Sequence, residues 1–159
     1  WQPFTNTSNP IISDLLEIQN SQNLTETERH NLSLARIGQG SFRDQLLERW
    51  NHACPISLCT LPSVLRASHI QAWSDKNATN ETLVDPYNGL LLAASIDALF
   101  DRHLISFCDN GDLLLSDTVK NQTANLGILH TNIGPLSPQQ KNYMAMHRAI
   151  FFEKNTPTI

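Results

Sequence analysis

The chain has 159 residues, 40% of them hydrophobic and 16% charged, the size and make-up of one compact domain, which argues against a multidomain machine. Eleven Lys and Arg against fifteen Asp and Glu leave a formal charge of −4. A nucleic-acid binder that works by a bulk excess of cations is thereby excluded, and any phosphate binding has to be local. No apolar run approaches the ~20 residues of a membrane-spanning helix, and the first ten residues lack the basic and apolar regions of a secretion signal. Cys54, Cys59 and Cys108 are too few for a disulfide framework, so the chain reads as cytoplasmic.

Residues 1–10 are rich in Asn, Thr, Ser and Pro and begin without methionine, so they read as a linker at the edge of a longer protein. Together with a short apolar helix expected over residues 11–19 and broken at 20–23, they make up an N-terminal piece spanning residues 1–24. At Thr25 the run Thr-Glu-Thr-Glu has the form of a capping box, and Leu32, Leu34 and Ile37 follow at helical spacing, so a helix is expected there. Gly38 and Gly40 are expected to interrupt it before a second amphipathic segment carrying Phe42, Leu46, Leu47 and Trp50. From Cys54 the prolines at 55 and 62 argue against a long helix, and residues 64–70 predict a short strand entering a loop. Residues 74–85 are polar apart from Leu83 and Val84 and predict an exposed loop. Asn88-Gly89 signals a turn, and Ile96, Leu99 and Phe100 form a helical stripe within residues 93–101. Two apolar runs, 104–107 and 113–116, flank Asp109-Asn110-Gly111-Asp112 and predict a hairpin. Ser137-Pro138-Gln139-Gln140 combines an N-cap, a proline at the first helical position and a capping-box Gln, so a terminal helix is expected through Phe152. The expected class is α+β, with a helical N-terminal segment and a C-terminal helix.

The informative residues lie in the middle. His69 falls at a strand end, Asn88 at a loop-to-helix junction, and Asp97 and Asp101 one helical turn apart, where like charges repel by ~0.2–0.5 kcal/mol. Asp101 also lies near the helix C-terminus, where the dipole disfavours a negative charge. A divalent cation between strand and helix would convert this repulsion into ligation, because carboxylate and amide oxygens suit hard ions such as magnesium.

The ordered set Ala67-Ser68-His69-Ile70, Asn88-Gly89-Leu90-Leu91-Leu92 and Asp97-Ala98-Leu99-Phe100-Asp101-Arg102-His103 resembles the HNH endonuclease family, in its bacterial restriction-type and modification-dependent branch. The resemblance extends upstream through residues 35–43 and downstream to Tyr143 and His147-Arg148. It implies a ββα-metal nuclease domain over residues 25–159. In that reading His69 is the general base, and Asn88 either ligates the metal or holds the loop that aims the imidazole. Asp97 stands nine residues after Asn88, where the family often has a metal-binding histidine; Asp101 and His103 complete the candidate metal set. Ser68 occupies a position that often holds Asp or His and is a poor ligand, so the implied metal is Mg2+, or another divalent ion such as Mn2+, completed by water and substrate phosphate. Cys54 and Cys59 lack a second pair, which argues against structural zinc. Arg36, Gln39, Arg43 and Arg102 are candidate DNA contacts, although Arg36 and Arg43 suit bracing of the nuclease core equally well. The implied activity is hydrolysis of DNA phosphodiester bonds in the bacterial cytoplasm, away from any membrane, with a recognition domain N-terminal to this chain and a homodimer among its partners. Its rivals are a noncatalytic DNA- or partner-binding domain that keeps the fold, and a toxin nuclease with an immunity partner.

Overall fold

The protein is described as a computed structural model over residues 10–72 and 75–155. The linker expected over residues 1–10 lies outside these apart from Pro10, which opens a helix. Compact packing divides the chain into a unit ending at Phe42 and a larger one from Arg43 onward.

In the first unit, α1 (Pro10–Asn20) leads to α2 (Glu26–Arg49). The capping box forms as its sequence requires: Thr25 Oγ1 accepts from the Glu28 amide at 3.2 Å, and Glu28 Oε2 accepts from the Thr25 amide at 3.3 Å. Arg29 donates to the Ser21 carbonyl at 2.8 Å and closes the turn between the helices, while Arg36 pairs with Asp14 at 2.6 Å. The interruption expected at Gly38 and Gly40 does not occur, because α2 continues through both glycines to Arg49. Two helical glycines cost about 1 kcal/mol each relative to Ala; the capping box and the burial of Phe42 and Leu46 outweigh that.

The second unit carries the α+β core. The strand expected near residue 65 is β1 (Leu65–His69), antiparallel to β2 (Gly89–Ala93), with Leu65 opposite Ala93 and His69 opposite Gly89. All five residues of β2 are buried, which explains its unbroken Leu90-Leu91-Leu92 run: a strand covered on both faces has no polar side to alternate with. Helix α4 (Ala94–Asp101) follows without a loop and packs across β1 and β2, burying Ile96, Leu99 and Phe100. The predicted hairpin is β3 (Ile105–Phe107) paired with β4 (Leu113–Leu115). Its tip needs Gly111: φ is +91°, and a Cβ there would lie 2.0 Å from the Gly134 carbonyl oxygen.

Two further expectations need correction. The polar stretch 74–85 is not all loop, because α3 (Asn80–Val84) sits within it. The Thr79 and Thr82 side chains cap each other's amides at 3.2 and 2.9 Å, a threonine version of a box usually closed by Glu or Gln, and Leu83 is buried. The turn expected at Asn88-Gly89 is instead a 3-10 turn over Pro86–Asn88 that feeds Gly89 directly into β2. A short helix, α5 (Asp117–Lys120), was not anticipated. The terminal helix α6 (Pro138–Asn155) is capped as predicted, Gln140 N to Ser137 Oγ at 3.3 Å and Ser137 N to Gln140 Oε1 at 3.0 Å, and extends three residues past Phe152.

Helix α6 is tied to the segment before β2 by one bond, from the Tyr143 hydroxyl to Asp85 Oδ2 at 2.8 Å, while Asp85 Oδ1 accepts from the Tyr87 amide at 2.9 Å. Burial, then this bond and the Asp85 charge, push the Tyr143 phenol up to about 12. Hydrogen bonds to charged groups contribute roughly 1.5–3 kcal/mol, so Tyr143→Phe is expected to lower stability by about 2 kcal/mol in urea unfolding. An unchanged midpoint would show that the bond does not hold the helix.

Candidate active site

His69 is the last residue of β1, and the residue opposite it, Gly89, has no side chain. Its Nε2 lies 2.7 Å from the Leu83 carbonyl oxygen. A carbonyl only accepts, so Nε2 carries the proton and the neutral ring keeps its basic lone pair on Nδ1. Burial lowers the imidazole's proton affinity; the Leu83 bond and the negative charge of Asp97 oppose it without cancelling it. The ring is therefore neutral at pH 7 and able to receive a proton.

Asn88 is fully buried. Its Oδ1 accepts from the Gln71 amide at 2.7 Å, and its Nδ2 donates to the carbonyls of Gln71 at 3.3 Å and Thr82 at 3.0 Å. The Ile70 amide also donates to the Asn88 carbonyl at 3.0 Å. The side chain thus prolongs the β1–β2 pairing by one residue and fastens Thr82 to it, and the next residue supplies the carbonyl that holds His69.

Asp97 lies in the first turn of α4, half-buried, and influences both His69 and Asp101 through its charge. The Asp101 carboxyl is raised by partial burial and by Asp97, and Arg102 offsets part of this. His103 has a left-handed backbone with φ of 55°. Its ring stacks on His147 at 4.3 Å, and His147 stacks on Phe100 at 3.8 Å. His147 is buried, with Nε2 2.8 Å from the Phe100 carbonyl and Nδ1 2.9 Å from the Ser106 hydroxyl, so it too is the Nε2-protonated neutral form. Burial first, then His103 and Lys154, lower it to about 4 despite the Phe100 bond.

The structure thus gathers His69, Asn88, Asp97, Asp101 and His103 around β1, β2 and α4, but among the described residues no group of three or more His, Cys, Asp or Glu is arranged to hold a metal ion. Ser68 Oγ is buried without a hydrogen-bond partner. Of the four candidate DNA contacts, Arg36 and Gln39 belong to the first unit and Arg43 and Arg102 to the second. Arg36 bonds Gln39 at 3.2 Å and pairs with Asp14. Arg43 donates to the carbonyls of Leu65 at 2.7 Å and Pro62 at 2.9 Å, bracing the approach to β1. Arg102 is exposed at the end of α4. Sequence reasoning missed the Leu83 carbonyl and the Gln71 backbone; a main-chain group leaves no residue-type signal, and only the paired threonines at 79 and 82 hinted at order there.

Residues 54–108, about a third of the chain, match the family described as HNH endonuclease. Over this segment the chain is similar to HNH endonucleases. The match takes in β1, α3, β2, α4 and β3, so His69, Asn88 and Asp97 all fall within it, whereas Tyr143 and His147 on α6 lie outside. HNH proteins are nucleases that generally use a divalent metal. No curated protein matches the chain, and no helix among the described residues is long and apolar enough to cross a membrane.

The buried histidine of α6, His147, carries a pH signature. Its folded proton affinity lies below the ordinary value of ~6.5, so the unfolded chain binds the extra proton, and stability present above pH ~6.5 is lost as pH falls toward about 4. The loss attributable to His147 is roughly 3 kcal/mol, with His69 and His103 contributing in the same direction. Urea unfolding from pH 7.5 to 4.5 should show a shallower acid decline in His147→Gln than in the parent; coincident slopes would refute it.

Proposed function

We propose that the chain is a metal-dependent endonuclease that hydrolyses DNA phosphodiester bonds, with His69 as general base. The observation that carries this is the bond from His69 Nε2 to the Leu83 carbonyl, which leaves Nδ1 as the proton acceptor in a family of nucleases. Nδ1 takes a proton from a water molecule; the hydroxide attacks phosphorus in line, the bond to the 3′ oxygen breaks, and that oxygen takes a proton from a second water molecule to give 5′-phosphate and 3′-hydroxyl ends. Asn88 acts as a positioning residue, because its amide is engaged in holding the loop that presents the Leu83 carbonyl.

The donors suit a hard cation held through few protein ligands. Asp97 is the residue best placed to bind it, its charge already acting on both His69 and Asp101. Magnesium, which keeps several waters and is often bound by one or two carboxylates plus substrate phosphates, fits this sparse set better than an ion needing a protein-built cage. The bound ion would supply charge neutralisation at the phosphoryl oxygens and at the leaving oxygen. Arg102, exposed at the end of α4, is the candidate phosphate contact nearest these residues in sequence. The motif set resembles the restriction-type branch, which favours a role in a bacterial restriction or modification-dependent system.

Nicking of supercoiled plasmid, with and without chelator, tests the reading. His69→Ala is expected to lose at least ~10²-fold in rate in a chain that still unfolds in one cooperative transition, and activity within a few-fold of the parent would overturn the assignment. Because burial lowers the His69 imidazole, the acid limb of the pH–rate profile should fall below pH ~6.5; a limb above that value would exclude His69 as the base. Asp97→Ala should raise the magnesium concentration needed for half-maximal rate, and saturation at the parental concentration would place the ion elsewhere.

A further inference from the structure

A cavity of about 340 Å³ opens beside His69, between the segment that leaves β1, the end of α4 and one face of α6. Its lining includes the carboxylates of Asp75 and Asp101 and, among the described residues, no Lys or Arg. The interior of the cavity thus offers an anion no cationic partner of its own, and a phosphate at His69 would stand at its mouth. The volume lies at the small end of ligand sites, ~300–1,000 Å³, which suits one ring system and excludes a base pair.

The walls point to the chemistry of the occupant. Met146 and Ile150, one helical turn apart on α6, present apolar side chains to the opening and are 45% and 38% exposed. His103 also lines the cavity; its Nδ1 is buried without a hydrogen-bond partner, and its ring is backed by His147. A non-glycine residue at φ 55° is strained where glycine would not be. At the polar edge, Asp75 accepts from Gln71 Nε2 at 3.1 Å and from the Asn77 amide at 2.9 Å. Two carboxylate oxygens offer about four acceptor sites, so capacity remains for further donors. A flat, neutral group with apolar faces and N–H donors on its edge satisfies all three features.

We propose that this cavity takes one unstacked nucleobase carrying an exocyclic amine, from the strand whose phosphate is presented to His69; this rests on the nuclease reading above. A base within a duplex stack cannot enter, so single-stranded or mismatched DNA is favoured over a matched duplex, as for other sites that take a base out of the stack.

The test is fluorescence anisotropy of the full chain in chelating buffer with single-stranded oligodeoxycytidylate and oligodeoxyuridylate of equal length: cytosine presents an exocyclic amine beside an acceptor ring nitrogen, whereas uracil presents a carbonyl beside a single ring N–H. At least ten-fold tighter binding of the cytidylate is expected. The double variant Met146→Ala, Ile150→Ala removes only exposed side chains and should lose that preference at an unchanged melting temperature. His103→Gly should also lose it; its melting temperature reflects the balance between the backbone strain relieved and the stacking on His147 lost. Equal affinity for the two oligonucleotides, or a preference that survives both variants, would overturn the proposal. Plasmid nicking separates it from the nuclease reading: a chain that nicks without base preference overturns the subsite alone, and one that prefers cytidylate without nicking supports the subsite and overturns the nuclease.

Discussion

The arrangement around His69 depends on the buried carboxamide of Asn88. A main-chain ladder between β1 and β2 ends at His69 and Gly89, and the segment beyond must turn away while its polar groups stay paired. The Asn88 side chain matches the Gln71 amide and carbonyl as a neighbouring strand would, and the same Nδ2 reaches the Thr82 carbonyl. Such buried bonds contribute little net energy when made but cost about 1–3 kcal/mol for each group left unpaired. The segment therefore has one low-energy position, and in it the Leu83 carbonyl meets His69 Nε2. A backbone oxygen held this way fixes both the ring's orientation and its tautomer, which an exposed side chain would do less rigidly.

The second support is aromatic. Phe100 from α4, His147 from α6 and His103 from the turn after α4 stack in sequence. His147 also bonds the Phe100 carbonyl and the Ser106 hydroxyl, so a titratable ring serves as a neutral connector between α4, β3 and α6. Burying it sacrifices stability in acid and gains a polar cross-link that an apolar ring would not supply. At the far end of the same helix, Asn155 Nδ2 donates to the His103 carbonyl at 2.8 Å, holding the left-handed residue in place.

Charge is distributed to match these constraints. Arg43, Arg36 and Arg148 spend donors on carbonyls or carboxylates of the chain itself: Arg43 on Leu65 and Pro62, Arg36 on Asp14, and Arg148 on Phe107 and Asp109. With a net charge of −4, few cations are left to attract a polyanion, and Asp97 and Asp101 repel each other along one face of α4. On the proposed reading, a bound divalent ion would relieve both conditions at once and so would add to binding of the substrate as well as to its chemistry.

The sequence by itself determined the elements whose signals are local. The capping boxes at Thr25 and Ser137, the hairpin about Gly111, the stripe Ile96, Leu99 and Phe100, and the HNH resemblance of the segment that holds His69, Asn88 and Asp97 all rest on neighbours within a few residues or on motif order, so they were legible without coordinates. The continuity of α2 through Gly38 and Gly40 was not, because burial of Phe42 and Leu46 overrides a propensity cost of about 1 kcal/mol per glycine. Only the tertiary structure decided that α3 interrupts a polar stretch, that Arg43 braces β1, and that Leu83 contributes its carbonyl to His69. It also decided that Met146 and Ile150, more than forty residues from α4, line a cavity with Asp101 and His103. These facts depend on main-chain groups and on contacts between distant segments, and neither kind is encoded in the spacing or type of any one residue.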